Sequence, residues 1–235
     1  MLDLSDLPIR SYRSIQFGAI VPDNDGVTVM YVPRPFQETD VPTLHAAIRD
    51  IGFATLVSSG PDGLIASHVP MVLDPAPAPY GTLLGHVARA NPHARVAGTV
   101  DSLAMFLGPN AYVTPSWYAA KREHGKVVPT WNYVAIHAAG RLEWFDDAER
   151  LLQLVTRLTE LHEGKRPNAW AVSDAPADFV AGMLKGIVGF ALPIARLEGK
   201  WKMSQNRPAA DRPGVVEGLG REAPAVAALV GERAR

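Results

Sequence analysis

Phe53-Ala54-Thr55-Leu56-Val57-Ser58, Gly60-Pro61-Asp62-Gly63 and then Leu64 through Leu73 read as strand, turn and strand. The first run is apolar and β-branched, the four middle residues are turn formers, and the third run returns to strand composition. A hairpin puts consecutive strands antiparallel, and the neighbouring sequence extends that frame in both directions. Upstream, Asp40 precedes Val41-Pro42, and apolar residues recur at Leu44, Ala47, Ile48 and Ile51 before Gly52. An Asp N-cap, a first-turn Pro and a terminal Gly predict a short helix leading into the hairpin. Downstream, Pro75-Ala76-Pro77-Ala78-Pro79 is a stiff, extended connector, because Pro fixes φ and lacks the ladder donor. It is expected to be a long hairpin loop. Gly81 to Val87 is the third strand, and Asn91 caps a short helix that begins at Pro92. Ser102–Leu107 and Asn132–Phe145 are the fourth and fifth strands.

The period then changes. Asp146, Asp147 and Glu149 form an acidic helix start, and Leu151, Leu152, Leu154, Val155, Leu158 and Leu161 make an apolar face ended by Gly164 and Pro167. Ala177–Lys185 predicts a second helix and Gly186–Leu197 a sixth strand. Five or six strands with helices inserted late predict a mainly β chain with accessory helices, an α+β antiparallel barrel and not alternating βαβ units. Residues 1–29 are expected to be an N-terminal extension. Residues 30–208 form the domain, with a helical insertion over about 146–185. Residues 209–235 form a C-terminal tail with a small peripheral helix.

The 235 residues are 47% hydrophobic and 20% charged, ordinary values for a globular chain with a useful core. The formal net charge is −1, which supplies no global basic field for nucleic acid or a membrane surface. There is no cysteine, which removes disulfides, thiolate metal sites, iron–sulfur clusters and thiol catalysis. This fits a cytoplasmic location. No run approaches a membrane span, and the N-terminus lacks a signal-peptide pattern. The Pro22–Gly26 turn lacks the terminal Glu of a calcium loop. Gly182, Gly186 and Gly189 do not have dinucleotide-fingerprint spacing. Neither a nucleophile elbow nor a zinc-protease motif is present, and the seven histidines are scattered, so no metal site is expected.

Three constellations carry chemistry. Tyr112 to His137 places two Trp-centred clusters, Tyr-Val-Thr-Pro-Ser-Trp-Tyr and Val-Pro-Thr-Trp-Asn-Tyr, around a charged loop. Flat faces beside hydroxyls and amides suit a polar ring-shaped ligand such as a flavin, although aromatics of this kind also build cores. Ser67 and His68, with His86, Arg89 and Asn91, group a hydroxyl, a guanidinium and a helix start whose free N–H groups favour an anion. Lys200-Trp201-Lys202-Met203-Ser204-Gln205-Asn206-Arg207 concentrates donors and positive charge for phosphate or ring carbonyls. The plain alternative for the last two is a capped turn and a solvated basic patch.

Met30-Tyr31-Val32-Pro33-Arg34-Pro35-Phe36, Pro129-Thr130-Trp131-Asn132-Tyr133 and Lys202-Met203-Ser204-Gln205-Asn206-Arg207, together with His86–Pro92 and Tyr112–Tyr118, resemble the PaiB-type FMN-binding family of bacterial regulators. The resemblance covers roughly residues 30–208. It implies a split β-barrel of the FMN-binding, pyridoxine-phosphate-oxidase-like type and a homodimer with FMN at the subunit interface. The FMN contacts it implies are Ser67, His68, His86, Arg89, Asn91, Trp131, Asn132, Lys202, Ser204, Gln205 and Arg207. It places phosphate near His86–Asn91 and isoalloxazine near the Trp and C-terminal motifs. It implies negative transcriptional regulation, with DNA as a partner by resemblance alone, since no basic recognition helix is visible. The alternative is an FMN-dependent oxidoreductase or flavin-reductase-like enzyme of unknown substrate. No catalytic residue is identified.

Overall fold

The computed structural model of the protein describes residues 30–60, 63–96 and 98–233. The expected extension 1–29 and the turn residues Pro61 and Asp62 lie outside the described residues.

Asp40 accepts from the Thr43 backbone N–H at 2.9 Å and Gly52 takes a left-handed conformation at φ 63°, which bounds α1 (Val41–Ile51). A short β1 (Gln37–Glu38) precedes it. The hairpin follows as β2 (Phe53–Gly60) and β3 (Gly63–Pro70), in register from Phe53↔Pro70 to Gly60↔Gly63. The expected single strand 64–73 is in fact two, because Pro70 has no N–H for the ladder and the chain bends into β4 (Val72–Asp74). The bend is secured by the Met71 N–H donating to Gly52 O at 2.8 Å. β5 (Thr82–Ala88) pairs with β4 across the Pro-rich connector.

Three long strands form the centre: β6 (Val100–Val113), β7 (Thr130–Phe145) and β8 (Ile187–Lys202). All pairings are antiparallel in the order β3-β2-β6-β7-β8-β5-β4, with β1 on β8. The two ends of this path, β3 and β4, are separated in the chain by Met71 alone, so the sheet curls into a barrel. Strand residues alternate between two faces. Ala54, Leu56, Ala104, Phe106, Val134, Ile136, Ala138, Leu83, Phe190 and Leu192 point inward and are buried. The other face carries Val57, Leu103, Met105 and Ala135 half-buried, with Phe53 and Leu107 exposed at 55% and 63%.

Helices cover the outside. α2 (Ala119–Glu123) lies in the loop before β7. α3 (Ala148–Glu163) packs Leu154 and Leu158 against Val72, and α4 (Ala177–Leu184) leads into β8. The expectation of a peripheral helix after residue 208 is corrected. The segment makes two helices, α5 (Arg212–Glu222) and α6 (Pro224–Arg233), whose Val215, Leu219, Val226 and Val230 join the barrel's own core. The reason is a close fit that a composition of Gly, Ala and Val does not reveal. The bare backbone of Gly218 lies against the Trp117 indole, where a Cβ would stand 2.2 Å from Cε2. Buried Asp211 accepts from the Ala120 N–H at 3.0 Å.

Candidate functional site

The expected site residues fall into two groups on the barrel. The first surrounds the 3-10 turn Pro92–Arg95 after β5. Asn91 caps this turn, its Oδ1 accepting from the His93 N–H at 2.9 Å. Its Nδ2 donates to Ser67 Oγ on β3 at 3.0 Å, so Ser67 and Asn91 do meet. The expected free backbone donors at this helix start are absent: Pro92 has no N–H, His93 N is bonded to Asn91 Oδ1 and Ala94 N to Asn91 O. Four residues make a turn and not a helix, so the dipole argument for an anion does not apply. Arg89 is partly engaged, donating through Nε to Lys185 O at 2.8 Å and through Nη2 to Ile187 O at 3.0 Å, with Nη1 3.8 Å from Asp146. With Nη1 turned to Asp146, half of the Asn91 amide remains as a donor. His86 lies opposite Gly189, and among the described residues its buried Nδ1 has no hydrogen-bond partner. His68 points to the opposite face of β3 from Ser67 and bonds through Nδ1 to Thr55 Oγ1 at 2.9 Å.

The second group lies where β7 begins and β8 ends. Asn132 is fully buried, and its amide is closed on Ser204, donating to Oγ at 2.9 Å and accepting at 3.2 Å. Ser204 holds a left-handed φ of 62°, unusual for a non-glycine residue. The Gln205 amide is likewise internal, accepting from Met203 N and donating to Trp201 O, both at 2.6 Å. These three residues brace the chain end, while the exposed chemistry belongs to their neighbours. Trp131 is half-exposed, its Nε1 donating to Asn110 Oδ1 at 3.3 Å and its ring 6.2 Å from that of Tyr112. Lys202 Nζ donates to Thr130 Oγ1 and, at 2.6 Å, to Trp131 O. Arg207 lies 4.3 Å over the Tyr118 ring and donates to Val128 O at 3.0 Å. Lys200 sits between the Tyr31 and Tyr133 rings, 5.4 and 5.2 Å from their centroids.

Among the described residues none of these three cations makes a salt bridge. Desolvation, followed by the charges of Lys200 and Arg207, pushes the Lys202 ammonium below its ordinary pKa. An anion bound here would relieve that repulsion.

A family profile described as "Putative FMN-binding domain" matches residues 30–196. The chain is 34% identical to the protease synthase and sporulation protein PAI 2 of Bacillus subtilis, with 82% of this chain and 90% of the relative covered.

The chain belongs to the PaiB-type FMN-binding family.

An uncharacterized protein of Aspergillus fumigatus is also similar, at 37% identity over 81% of this chain and 90% of its own length. Among solved structures, a "putative 5-nitroimidazole antibiotic resistance protein" of Bacteroides thetaiotaomicron superposes with a TM-score of 0.50 over 70% of this chain and 85% of its own, at 10% identity. This likeness shows the split-barrel fold alone. As in its family, the cofactor of this domain is FMN.

The residues present fit that cofactor. Among the described residues His86 Nδ1 has no hydrogen-bond partner and one Asn91 amide hydrogen is unassigned, while the other group sets aromatic planes beside cations that make no salt bridge. Sequence reasoning named Ser67 and Asn91 but missed His93, which is wholly buried and bonds Ser67 and Ser58 through its two ring nitrogens at 3.0 and 2.8 Å. Lys200 and Tyr118 stood in the constellations read from the sequence but outside the implied FMN contacts, whereas His93 has no sequence signal.

Burial lowers the pKa of His86 and His93. A folded-state value below the unfolded one penalises the native state once the unfolded imidazole protonates, below about pH 6.5. The urea midpoint of the FMN-free protein is therefore expected to fall as pH drops through that value. His93→Gln should flatten part of the fall, and an unchanged slope in this variant would contradict the assignment.

Proposed function

We propose that the protein is an FMN-loaded homodimeric regulator in which each flavin is held by the Asn91 turn of one protomer and the Lys202–Arg207 end of its partner. The placement of the two groups on different strand ends supports this reading. The Asn91 turn follows β5, whose His86 is aligned with Gly189 near the start of β8, whereas Lys202, aligned with Tyr133, ends β8. Phosphate is assigned to Arg89, Asn91 and His86, and the ring system to Trp131, Lys202 and Arg207, with Ser67, Asn132, Ser204 and Gln205 as braces. The flavin supplies its own redox electronics, while the protein supplies placement and charge.

A surface suited to the second copy is present. Thr55 is opposite both His68 and Met105, Met105 is opposite His137, and His137 is opposite Glu198. This mostly polar row crosses five strands on the outer sheet face, and exposed Phe53 and Leu107 flank it, a mixed apolar and polar surface of the kind that mediates association. Trp131, Tyr133, Lys200 and Lys202 share that face. The name of the Bacillus relative supports a regulatory role.

Complementation tests the shared site. Arg89→Ala and Arg207→Ala homodimers should each bind FMN weakly. Mixed and refolded at equal amounts, they should recover about one quarter of the wild-type sites, because half the dimers are hybrid and each hybrid has one intact site. Absence of recovery, with hybrids verified by mass, would overturn the reading. Salt-resistant binding to a promoter fragment tests regulation.

A further inference from the structure

We propose that His93 is a positioning residue for the cofactor, a neutral imidazole that sets the orientation of the Asn91 amide through Ser67. The inference rests on the FMN site assigned above. Its own basis is a chain of hydrogen bonds whose direction is determined at both ends. At one end, Ser102 Oγ lies 3.1 Å from Val100 O, a carbonyl that only accepts, so the Ser102 hydroxyl donates there. Ser58 Oγ, 2.6 Å from Ser102 Oγ, then donates to it. With its hydrogen occupied, Ser58 accepts from His93 Nε2 at 2.8 Å, which places the ring proton on Nε2. His93 Nδ1 is therefore an acceptor and takes the Ser67 hydroxyl hydrogen at 3.0 Å. Ser67 in turn accepts from Asn91 at 3.0 Å, so Nδ2 and not Oδ1 faces it. The other end agrees independently: Asn91 Oδ1 is already held by the His93 N–H at 2.9 Å.

The consequence lies at the surface of the turn. Ser58, Ser67, His93 and Ser102 are all buried, while Asn91 is half-exposed. The second Nδ2 hydrogen of half-exposed Asn91 is left as a donor two residues from Arg89 in the chain, and an amide flipped end for end would present an acceptor to the phosphate instead. The barrel thus chooses the sign of one group in the site from four residues away in hydrogen bonds. The His93 ring is also 5.8 Å from the Trp144 ring in an edge contact, and Trp144 stands edge-on to Phe190, so the imidazole plane is held by packing as well as by its partners.

The test uses FMN titrations, followed by flavin fluorescence, on the full chain. His93→Leu removes both ring nitrogens and should weaken FMN binding by about tenfold or more, since the Ser67 hydroxyl loses the acceptor that orients it and the Asn91 amide is then held only by the backbone N–H of residue 93. His93→Gln keeps one acceptor and one donor and should stay within about threefold of the wild type. In an Asn91→Ala background His93→Leu should cause no further loss, because residues acting through one another are non-additive. Additive losses, or a Gln variant as weak as the Leu variant, would show a merely structural role and overturn the inference. Should His93→Leu fail to fold, Ser67→Ala takes its place, since it breaks the same link and leaves His93 bonded to Ser58. Nitrogen NMR of the FMN-free protein should find His93 neutral with its proton on Nε2. A proton on Nδ1, or on both nitrogens, at neutral pH also overturns it. A wild type that binds no FMN would refute the site assignment. A wild type that binds FMN regardless of His93 would refute this inference alone.

Discussion

A chain ending at residue 208 is expected to lose its cooperative fold, although the family profile stops at residue 196. The truncation removes Val215, Leu219, Val226 and Val230, each 0–2% exposed and each part of the cluster that contains Phe106, Ile136 and Trp201. Burying such a side chain contributes about 1.5–3 kcal/mol, and domains are stable by only roughly 5–15 kcal/mol in total. The cut also exposes the Trp117 indole that Gly218 covers and removes Asp211, the acceptor for the Ala120 N–H. Loss of the urea transition, with near-ultraviolet dichroism flattened, is the expected result. A truncated chain that unfolds at the full-length midpoint would show that α5 and α6 are dispensable. Gly218→Val should move the same way by a different route, because its Cβ meets the indole and overpacking costs about 1–3 kcal/mol.

The second large effect concerns the cationic end of β8. Lys202→Ala with Arg207→Ala should weaken FMN binding by about a hundredfold, taking roughly 1.5 kcal/mol or more for each hydrogen bond to a charged group. Arg207→Ala alone should weaken it about tenfold on the same basis. The fold should survive, because both side chains are partly exposed and their partners among the described residues are backbone carbonyls, a hydroxyl and one ring face. FMN-free stability should hold or rise, since the Lys202 ammonium is depressed by burial and by the charges of Lys200 and Arg207, and the variant removes that ammonium and the Arg207 charge. The sign also predicts a pH dependence. As pH rises through the lowered Lys202 value the folded protein sheds an unfavourable charge and gains stability, while FMN loses a cation and binds more weakly. Isothermal titration across that range measures both. Unchanged FMN affinity in the double variant would remove this end of β8 from the site.

Much of this was legible in the chain. Asp40, Pro42 and Gly52 bound α1 as their types require, and the alternation of Phe53–Ser58 marks a strand with one buried face. The hairpin of β2 and β3 followed from the turn formers between its strands, whereas the sheet order β3-β2-β6-β7-β8-β5-β4 did not. Site chemistry was legible as composition: Trp131, Lys202 and Arg207 are costly residues, and Lys202 does reach the Trp131 carbonyl, while Arg207 lies over Tyr118 and bonds Val128 O. What their neighbours do was not. Asn132, Ser204 and Gln205 read equally well as ligand contacts, yet their polar groups are bonded to one another and to backbone. An amide carries no mark of whether its partner will be a ligand or the chain itself. Arg89 likewise finds carbonyls of the α4–β8 junction, nearly a hundred residues away.

By itself the sequence determined the period of each segment, the points where it turns and the residue types that reach the surface, because these depend on neighbours a few positions apart. Tertiary structure alone decided that His93 is buried between two serines, that a Gly-rich tail seats a tryptophan, and that Ser67 bonds the Asn91 turn after β5 while Lys202 bonds the start of β7. Those outcomes depend on which distant surfaces exclude water together, and strand pairing between β3, β5 and β8 settles that only once the sheet has closed.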